Sequence, residues 1–321
     1  MNTLLIQTRK NLLMGLLLLI LFPLLFINFN LYSTPTPRYA KELSNLAHVP
    51  LFALISYWVW YWIERWSGRQ ANSSVTSTRR IFILWLLVCI TIALITEQLQ
   101  TLTGTRYASW TDIRRDCLGL TLFLAAYPAL ANIGLPGRRL LATVAITWLL
   151  IELIPLGIYS RDYYAILRHP DILADFDTIG QRSRWNRGEL VATSDSDGQS
   201  ALKIKLGTEL YSGTSLEYLP RNWNDWTTFH LEVFCADSTP QSLHFKIDDS
   251  QAITDGNSYL MRFNATEHLQ SGWNSIDIPI EAIRNGPADR KMDMAQIYSV
   301  TLFFSHRTAP GFMLLDNLRL R

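Results

Sequence analysis

Long apolar runs crowd the first half of this chain and are missing from the second, and that split constrains the fold more than any other feature. Five segments, Asn11–Phe29, Leu46–Ile63, Ile81–Ile95, Cys117–Ile133 and Leu140–Tyr159, approach the ~20 apolar residues that a helix needs to cross a bilayer core. The third run, IFILWLLVCITIALI, covers only about 22 Å at the helical rise against a core of about 30 Å. Its helix is therefore expected to continue and to carry Glu97, Gln98 and Gln100 to the edge of the apolar zone. No small-x-small cleavage site follows the first run, so it is read as a retained helix rather than a signal peptide.

The sequence thus predicts an α-helical membrane domain with five transmembrane helices, followed by an all-β sandwich (jelly roll). The helical domain covers 1–160, with helices at about 11–29, 45–63, 81–100, 112–133 and 139–159. A linker is expected over 161–171 and the sandwich over 172–321. Composition fits two unlike halves: 49% of residues are hydrophobic, yet mean hydropathy is only +0.09. A net charge of +2, with no basic stripe interleaved with aromatics, gives no footprint for nucleic acid. Cys89, Cys117 and Cys235 show no CxxC or Cys/His metal spacing and read as packing residues.

Basic residues set the expected orientation. With the N-terminus inside, Arg9, Lys10, Arg65, Arg69, Arg79, Arg80, Arg138 and Arg139 fall on the inner side. Arg38, Lys41, Arg106, Arg114 and Arg115 fall on the outer side, a smaller set. Five spans then place the C-terminal domain outside the cytoplasmic membrane of a bacterial cell. The same topology gathers polar residues at one membrane surface: His48, Glu97 and Gln100 at i,i+3, Arg106, and Asp112 and Asp116 at i,i+4. A carboxylate at that depth is costly and marks a functional candidate. The plainer reading is that Thr111 or Asp112 caps a helix, with Arg106, Arg114 and Arg115 pairing lipid headgroups. Glu97 and Asp112 can hold or relay a proton with His48 as acid or base, and Arg106 can hold a phosphate or carboxylate.

The pattern of His48, Glu97-x-x-Gln100, Gly104-x-Arg106 and Asp112-x-x-x-Asp116-x-x-Gly119 resembles the VanZ-like membrane family over roughly residues 10–130. Asn45 stands where that family tends to have Lys, and Asp116 where it tends to have Asn. The resemblance implies a multi-helical envelope protein, named for a teicoplanin-resistance relative, and hence an influence on glycopeptide susceptibility.

The second half alternates in short runs. Leu202, Ile204 and Leu206; Leu231 and Val233; and Leu243, Phe245 and Ile247 read as the inward faces of strands. Ten such runs separated by Gly, Asn, Asp and Ser predict an antiparallel sandwich. The segments LADFDT, DGQSALKIKL, NWNDWTTFHLEVF, GWNSIDIPI and LLDNLRLR resemble the galactose-binding-like jelly rolls of carbohydrate-binding modules. That resemblance implies glycan binding through exposed aromatics, for which Trp185, Trp223 and Trp226 are the candidates, and a structural Ca²⁺ held by Asp175, Asp177 and Asp316. Asp248 and Asp249 are expected as an exposed acidic pair.

The expected function is binding or positioning of glycan or lipid-linked glycan at the outer face of the membrane. Two alternatives stay open: a membrane enzyme acting on a lipid-linked headgroup, and a structural or sensory anchor whose sandwich binds protein. Membrane lipid is the other expected partner.

Overall fold

A computed structural model describes residues 37–66, 75–102, 109–127, 133–193 and 200–321. The predicted first helix and Arg106 lie outside the described residues. The chain divides into two compact units, one holding Ala40–Leu156 and the other Gly157–Arg321 with Tyr39 and the residues just before it.

The helices are α1 (Arg38–Leu46), α2 (His48–Trp66), α3 (Val75–Leu102), α4 (Trp110–Ala126) and α5 (Leu135–Arg168), of which the first two residues of α1 and α5 from Gly157 onward belong to the second unit. Three helical stretches, Arg38–Trp66, Arg79–Leu102 and Leu135–Arg168, are long and apolar enough to cross a membrane. The sequence reading of five such helices is not reproduced among the described residues, since α4 is only 17 residues long and carries Asp112, Arg114, Arg115 and Asp116 in its first turns. Residues 161–168, expected as linker, are the last turns of α5. The apolar run there ends near Tyr159, but helical backbone does not require apolar side chains, and no breaker stands between Tyr159 and Pro170.

Packing in this unit follows from side-chain size on facing helices. Leu51, Phe52, Ile55 and Val59 of α2, Trp85 and Cys89 of α3, and Leu120 and Phe123 of α4 form one buried cluster. Trp85 is fully buried because its indole N–H finds a partner, donating to Ser56 O at 2.9 Å. The opposite face of α3 leaves Ile83, Leu87 and Leu94 about half exposed, and α5 does the same with Val144, Leu150 and Ile154.

The second unit is a two-layer antiparallel sandwich. One sheet runs β2 (Glu189–Ala192), β3 (Ser200–Leu206), β10 (Gly311–Leu320), β5 (Thr228–Cys235), β8 (Gly272–Pro279), with β1 (Ile172–Ala174) also paired to β10. The other runs β4 (Tyr211–Leu216), β9 (Ile297–Ser305), β6 (Gln241–Asp249), β7 (Phe263–Leu269). The chain switches sheets after β3, β4, β5, β7, β8 and β9, and the first and last strands, β1 and β10, pair in the six-stranded layer. Leu202, Ile204, Leu231, Val233, Leu243, Phe245 and Ile247 all point into the core, as their period-two spacing predicts.

Two buried ion pairs fix the edges of this core. Arg184 is buried and donates from Nε and Nη2 to the Asp162 carboxylate and from Nη1 to Leu173 O, tying the last turns of α5 to β1. Asp248 and Asp249 are fully buried rather than exposed. Asp249 accepts both terminal nitrogens of Arg290 at 2.6 Å, and the N–H groups of Ala252 and Asp293 at 2.8 Å. Local patterning carries no sign of this, because Arg290 lies 41 positions downstream of Asp249.

Burial alone would raise the Asp249 carboxyl, but Arg290 and the two backbone N–H groups more than offset it and hold the group below its ordinary value. A folded-state pKa below the unfolded one gives stability that is complete above the unfolded value and lost as pH falls through the folded one. Asp249→Asn is expected to cost about 3–5 kcal/mol at neutral pH. In urea unfolding of the full chain, the gap between wild type and variant should close at a pH below the ordinary carboxyl range; an unchanged gap in acid would refute the linkage.

Candidate functional site

The helical unit brings polar residues together around one close helix contact. Gly119 of α4 lies against the backbone of α2: a Cβ there would sit 2.5 Å from Val49 O and 2.9 Å from Ala53 N. Only glycine permits that approach. It brings His48, at the first turn of α2, beside Asp116, one turn before Gly119 on the same face of α4. His48 Nδ1 and Asp116 Oδ1 are 2.8 Å apart, and both side chains are wholly buried.

Glu97, near the end of α3, joins them. One oxygen of Glu97 accepts the backbone N–H of Ser109 at 2.8 Å, which fastens the start of α4 to α3. Ser109, rather than Thr111 or Asp112, caps α4, its hydroxyl accepting the Thr111 N–H. Potential ligand atoms of His48, Glu97 and Asp116 all lie within 4.8 Å of one another. Gln100 is fully buried, one turn further along α3 from Glu97. So the structure places His48, Glu97 and Asp116 in one cluster.

Asp112 belongs to a second, adjoining group. Arg115 is its hub: it donates from Nε to Glu152 Oε2 at 3.1 Å, from Nη1 to Asp112 Oδ1 at 3.4 Å, and from Nη2 to Glu42. Arg114 also reaches Glu152, at 2.8 Å, from an exposed position. The sequence reading placed Arg115 at lipid headgroups and passed over Glu152 and Glu42. Two signals were available: the i,i+3 spacing of Asp112 and Arg115, and a lone acid in the apolar run of α5.

In the sandwich two of the three predicted tryptophans are not exposed to a sugar. Trp185 and Trp223 are fully buried. Trp185 packs on Phe176. Trp223 stacks on Phe229 and donates its indole N–H to Pro220 O. Trp226 is partly buried against the same core. Large flat rings at strand ends seal a sandwich core better than they serve solvent.

An open hollow of about 640 Å³ lies instead on the outer face of the four-stranded sheet. Alternation puts Tyr211 and Ser215 of β4, Thr301, Phe303 and Ser305 of β9, His244 and Lys246 of β6, and Asn264 and Thr266 of β7 on that face. Gly213 sits opposite Phe303, where a Cβ would meet Phe303 Cα at 2.5 Å, so the ring surface stays clear. Phe303 touches Tyr211 edge-on, ring centroids 5.5 Å apart, and His244 at 5.2 Å.

His244 hydrogen-bonds Thr266 Oγ1 and Ser305 Oγ, both at 2.9 Å. Desolvation lowers its pKa below the ordinary 6.5, so the ring is neutral at pH 7 and offers one donor and one acceptor. Arg262 is held by Asn257 and Asn264, beside the exposed ring of Tyr259. Arg187, Lys246 and Arg262 line the hollow, and among the described residues no carboxylate does.

Asp175, Asp177 and Asp316 share a separate hollow of about 410 Å³ with Asp171, as expected for chain-end residues of the sandwich. Their oxygens suit Ca²⁺ by type. However, Asp175 is engaged by Gln181 Nε2 at 2.6 Å. Among the described residues, the ligand set that closes to within 4.8 Å is the His48 trio and not these aspartates.

No family model and no curated relative matches the chain, so the VanZ-like resemblance rests on its spaced residues alone. Solved structures do match, over the sandwich. A family 11 carbohydrate-binding module from Clostridium thermocellum, in complex with a β-1,3-1,4-mixed-linked tetrasaccharide, is 17% identical over 47% of this chain and 94% of that one, with a TM-score of 0.36. A non-crystalline-cellulose-specific module, CBM28, is 19% identical over 47% and 92%, with a TM-score of 0.30. An exo-β-agarase is 14% identical over 47% and 24%, with a TM-score of 0.37.

The Gly119 contact makes a direct prediction. Gly119→Ala is expected to cost about 1–3 kcal/mol by forcing α2 and α4 apart. A double-mutant cycle on His48→Ala and Asp116→Ala, read by thermal unfolding in micelles, should show coupling of at least about 0.5 kcal/mol in wild type and less in the Gly119→Ala background. Coupling that survives the substitution would show that the contact does not position the pair.

Proposed function

We propose that the protein is a membrane-anchored glycan-binding protein whose sandwich carries the binding site. One observation carries the reading: the hollow on the outer face of the four-stranded sheet combines ring surfaces with a fixed set of hydrogen-bonding groups. Tyr211, Phe303 and Tyr259 offer faces for the C–H side of a pyranose. Thr266 and Ser305, whose hydroxyls His244 orients, together with Thr301 and Arg262 offer donors and acceptors for its hydroxyls. Lys246 is already paired with the buried Asp248, and the remaining cations Arg187 and Arg262, with no acid in the described lining, favour an anionic glycan, whether acidic in its sugars or through the phosphates of a lipid-linked precursor.

The three long apolar helices support anchorage in a membrane. Arg65, Arg79 and Arg80, at the end of α2 and the start of α3, favour the cytoplasmic side for those ends; a crossing by α4 as well would bring Arg138 and Arg139 to that side and leave the sandwich on the extracytoplasmic one. The VanZ-like spacing extends the reading to lipid-linked cell-wall glycan and glycopeptide susceptibility. A membrane enzyme is the second reading, favoured by the buried His48, Glu97 and Asp116.

The test is oligosaccharide binding by the full chain in lipid nanodiscs, since alkyl glycoside detergents would compete for the site. Acidic glycans should bind more tightly than a neutral β-glucan. Tyr211→Ala or Phe303→Ala should weaken binding about tenfold or more, the loss of about 1.4 kcal/mol or above. Arg262→Ala should erase the preference for acid. Absence of binding to either class would sink the proposal.

A pH titration gives an independent check. Protonating His244 removes the acceptor it offers to Thr266 or Ser305. Both hydroxyls can turn to accept from the charged ring, which adds a cation to the lining, so affinity for an acidic glycan should hold steady at neutral pH and rise on acidification below the ordinary 6.5, through the lowered value. His244→Gln should flatten that profile; a slope that persists in the variant would assign the titration elsewhere.

A further inference from the structure

We infer that His48, Glu97 and Asp116 are the ligands of a divalent transition-metal ion buried among α2, α3 and α4. This is independent of the glycan reading, which concerns the other unit. Three elements far apart in sequence each deliver one residue, and their ligand atoms lie within 4.8 Å of one another. All three side chains are at most 1% exposed. Two atoms point to a missing partner: His48 Nε2 and Asp116 Oδ2 are buried with no hydrogen bond among the described residues. A buried polar atom left unsatisfied destabilises the fold, and a cation bound by nitrogen and oxygen lone pairs removes that cost.

The donor set selects the class of ion. An imidazole nitrogen disfavours Mg²⁺ and Ca²⁺, and a set without thiolate disfavours Cu⁺. One nitrogen with two carboxylates suits Zn²⁺, Mn²⁺ or Fe²⁺. The outer shell is of the kind such sites use: Glu97 is oriented by the Ser109 N–H, and the His48–Asp116 separation is fixed by the Gly119 contact. Three protein ligands leave a coordination position for water or a substrate oxygen, as in catalytic rather than structural zinc sites.

The experiment uses the full chain in detergent, stripped by a chelator, reloaded separately with Zn²⁺, Mn²⁺ and Co²⁺, desalted and assayed by mass spectrometry of the metal. About one ion per chain is expected for at least one of them. His48→Ala and Asp116→Asn should each reduce retained metal about tenfold or more. Asp112→Asn, in the adjoining Arg115 group, should retain it. Wild-type chain that retains none of the three metals, or a His48→Ala/Asp116→Asn double variant that retains as much as wild type, would overturn the assignment. So would equal loss in Asp112→Asn. If the His48 variant does not elute as a folded species, the Co²⁺ spectrum of wild type decides: chelator-sensitive ligand-field bands support the site, and their absence overturns it.

Discussion

The helical unit depends on one point where two helix backbones touch. Because Gly119 has no side chain, α4 rests directly on Val49 and Ala53 of α2. The buried polar cluster is referred to that contact. It sets the 2.8 Å separation of His48 and Asp116, and the Ser109 cap at the start of α4 brings Glu97 of α3 into the same register. Helices that met through larger side chains would stand about 8–10 Å apart at the axes, and short side chains such as Asp could not then reach across. The apolar cluster around Phe52, Trp85 and Phe123 supplies much of the buried apolar area, while the glycine supplies the geometry.

Beside it, Arg115 gathers Asp112, Glu152 and Glu42 from three helices. A guanidinium has five N–H donors in one plane, so a single residue can hold several carboxylates that would otherwise repel one another. Removing it would leave buried acids facing each other with no cation between them. The sandwich uses the same device twice, in Arg184 with Asp162 and in Arg290 with Asp249. In each case arginine sits where backbone carbonyls also need donors: Leu173 O for Arg184 and Met261 O for Arg290.

What could be read from the sequence followed from periodicity. Strand runs with inward residues at every second position located the sandwich and its core, and long apolar runs located α2, α3 and α5. The cluster of His48, Glu97 and Asp116 was legible because apolar surroundings make a polar residue conspicuous. As a metal site it was invisible to spacing rules, since its members are separated by whole helices. The hollow on the sandwich escaped for the opposite reason. Tyr211, His244 and Phe303 sit on outward strand positions, where polar and aromatic residues are ordinary. Only the strand order β4-β9-β6-β7 makes neighbours of them. The tryptophans misled because residue type alone suggested a sugar platform, whereas Trp185 and Trp223 fill the core.

That exchange of roles has a spectroscopic consequence. The sandwich keeps Trp185 and Trp223 in its interior and walls its hollow with tyrosine, phenylalanine and histidine. Emission from those two indoles is therefore a gauge of whether the core is intact and is blind to what occupies the outer face. A titration followed by their fluorescence would look silent even for a tight ligand, and a change in it would report unfolding.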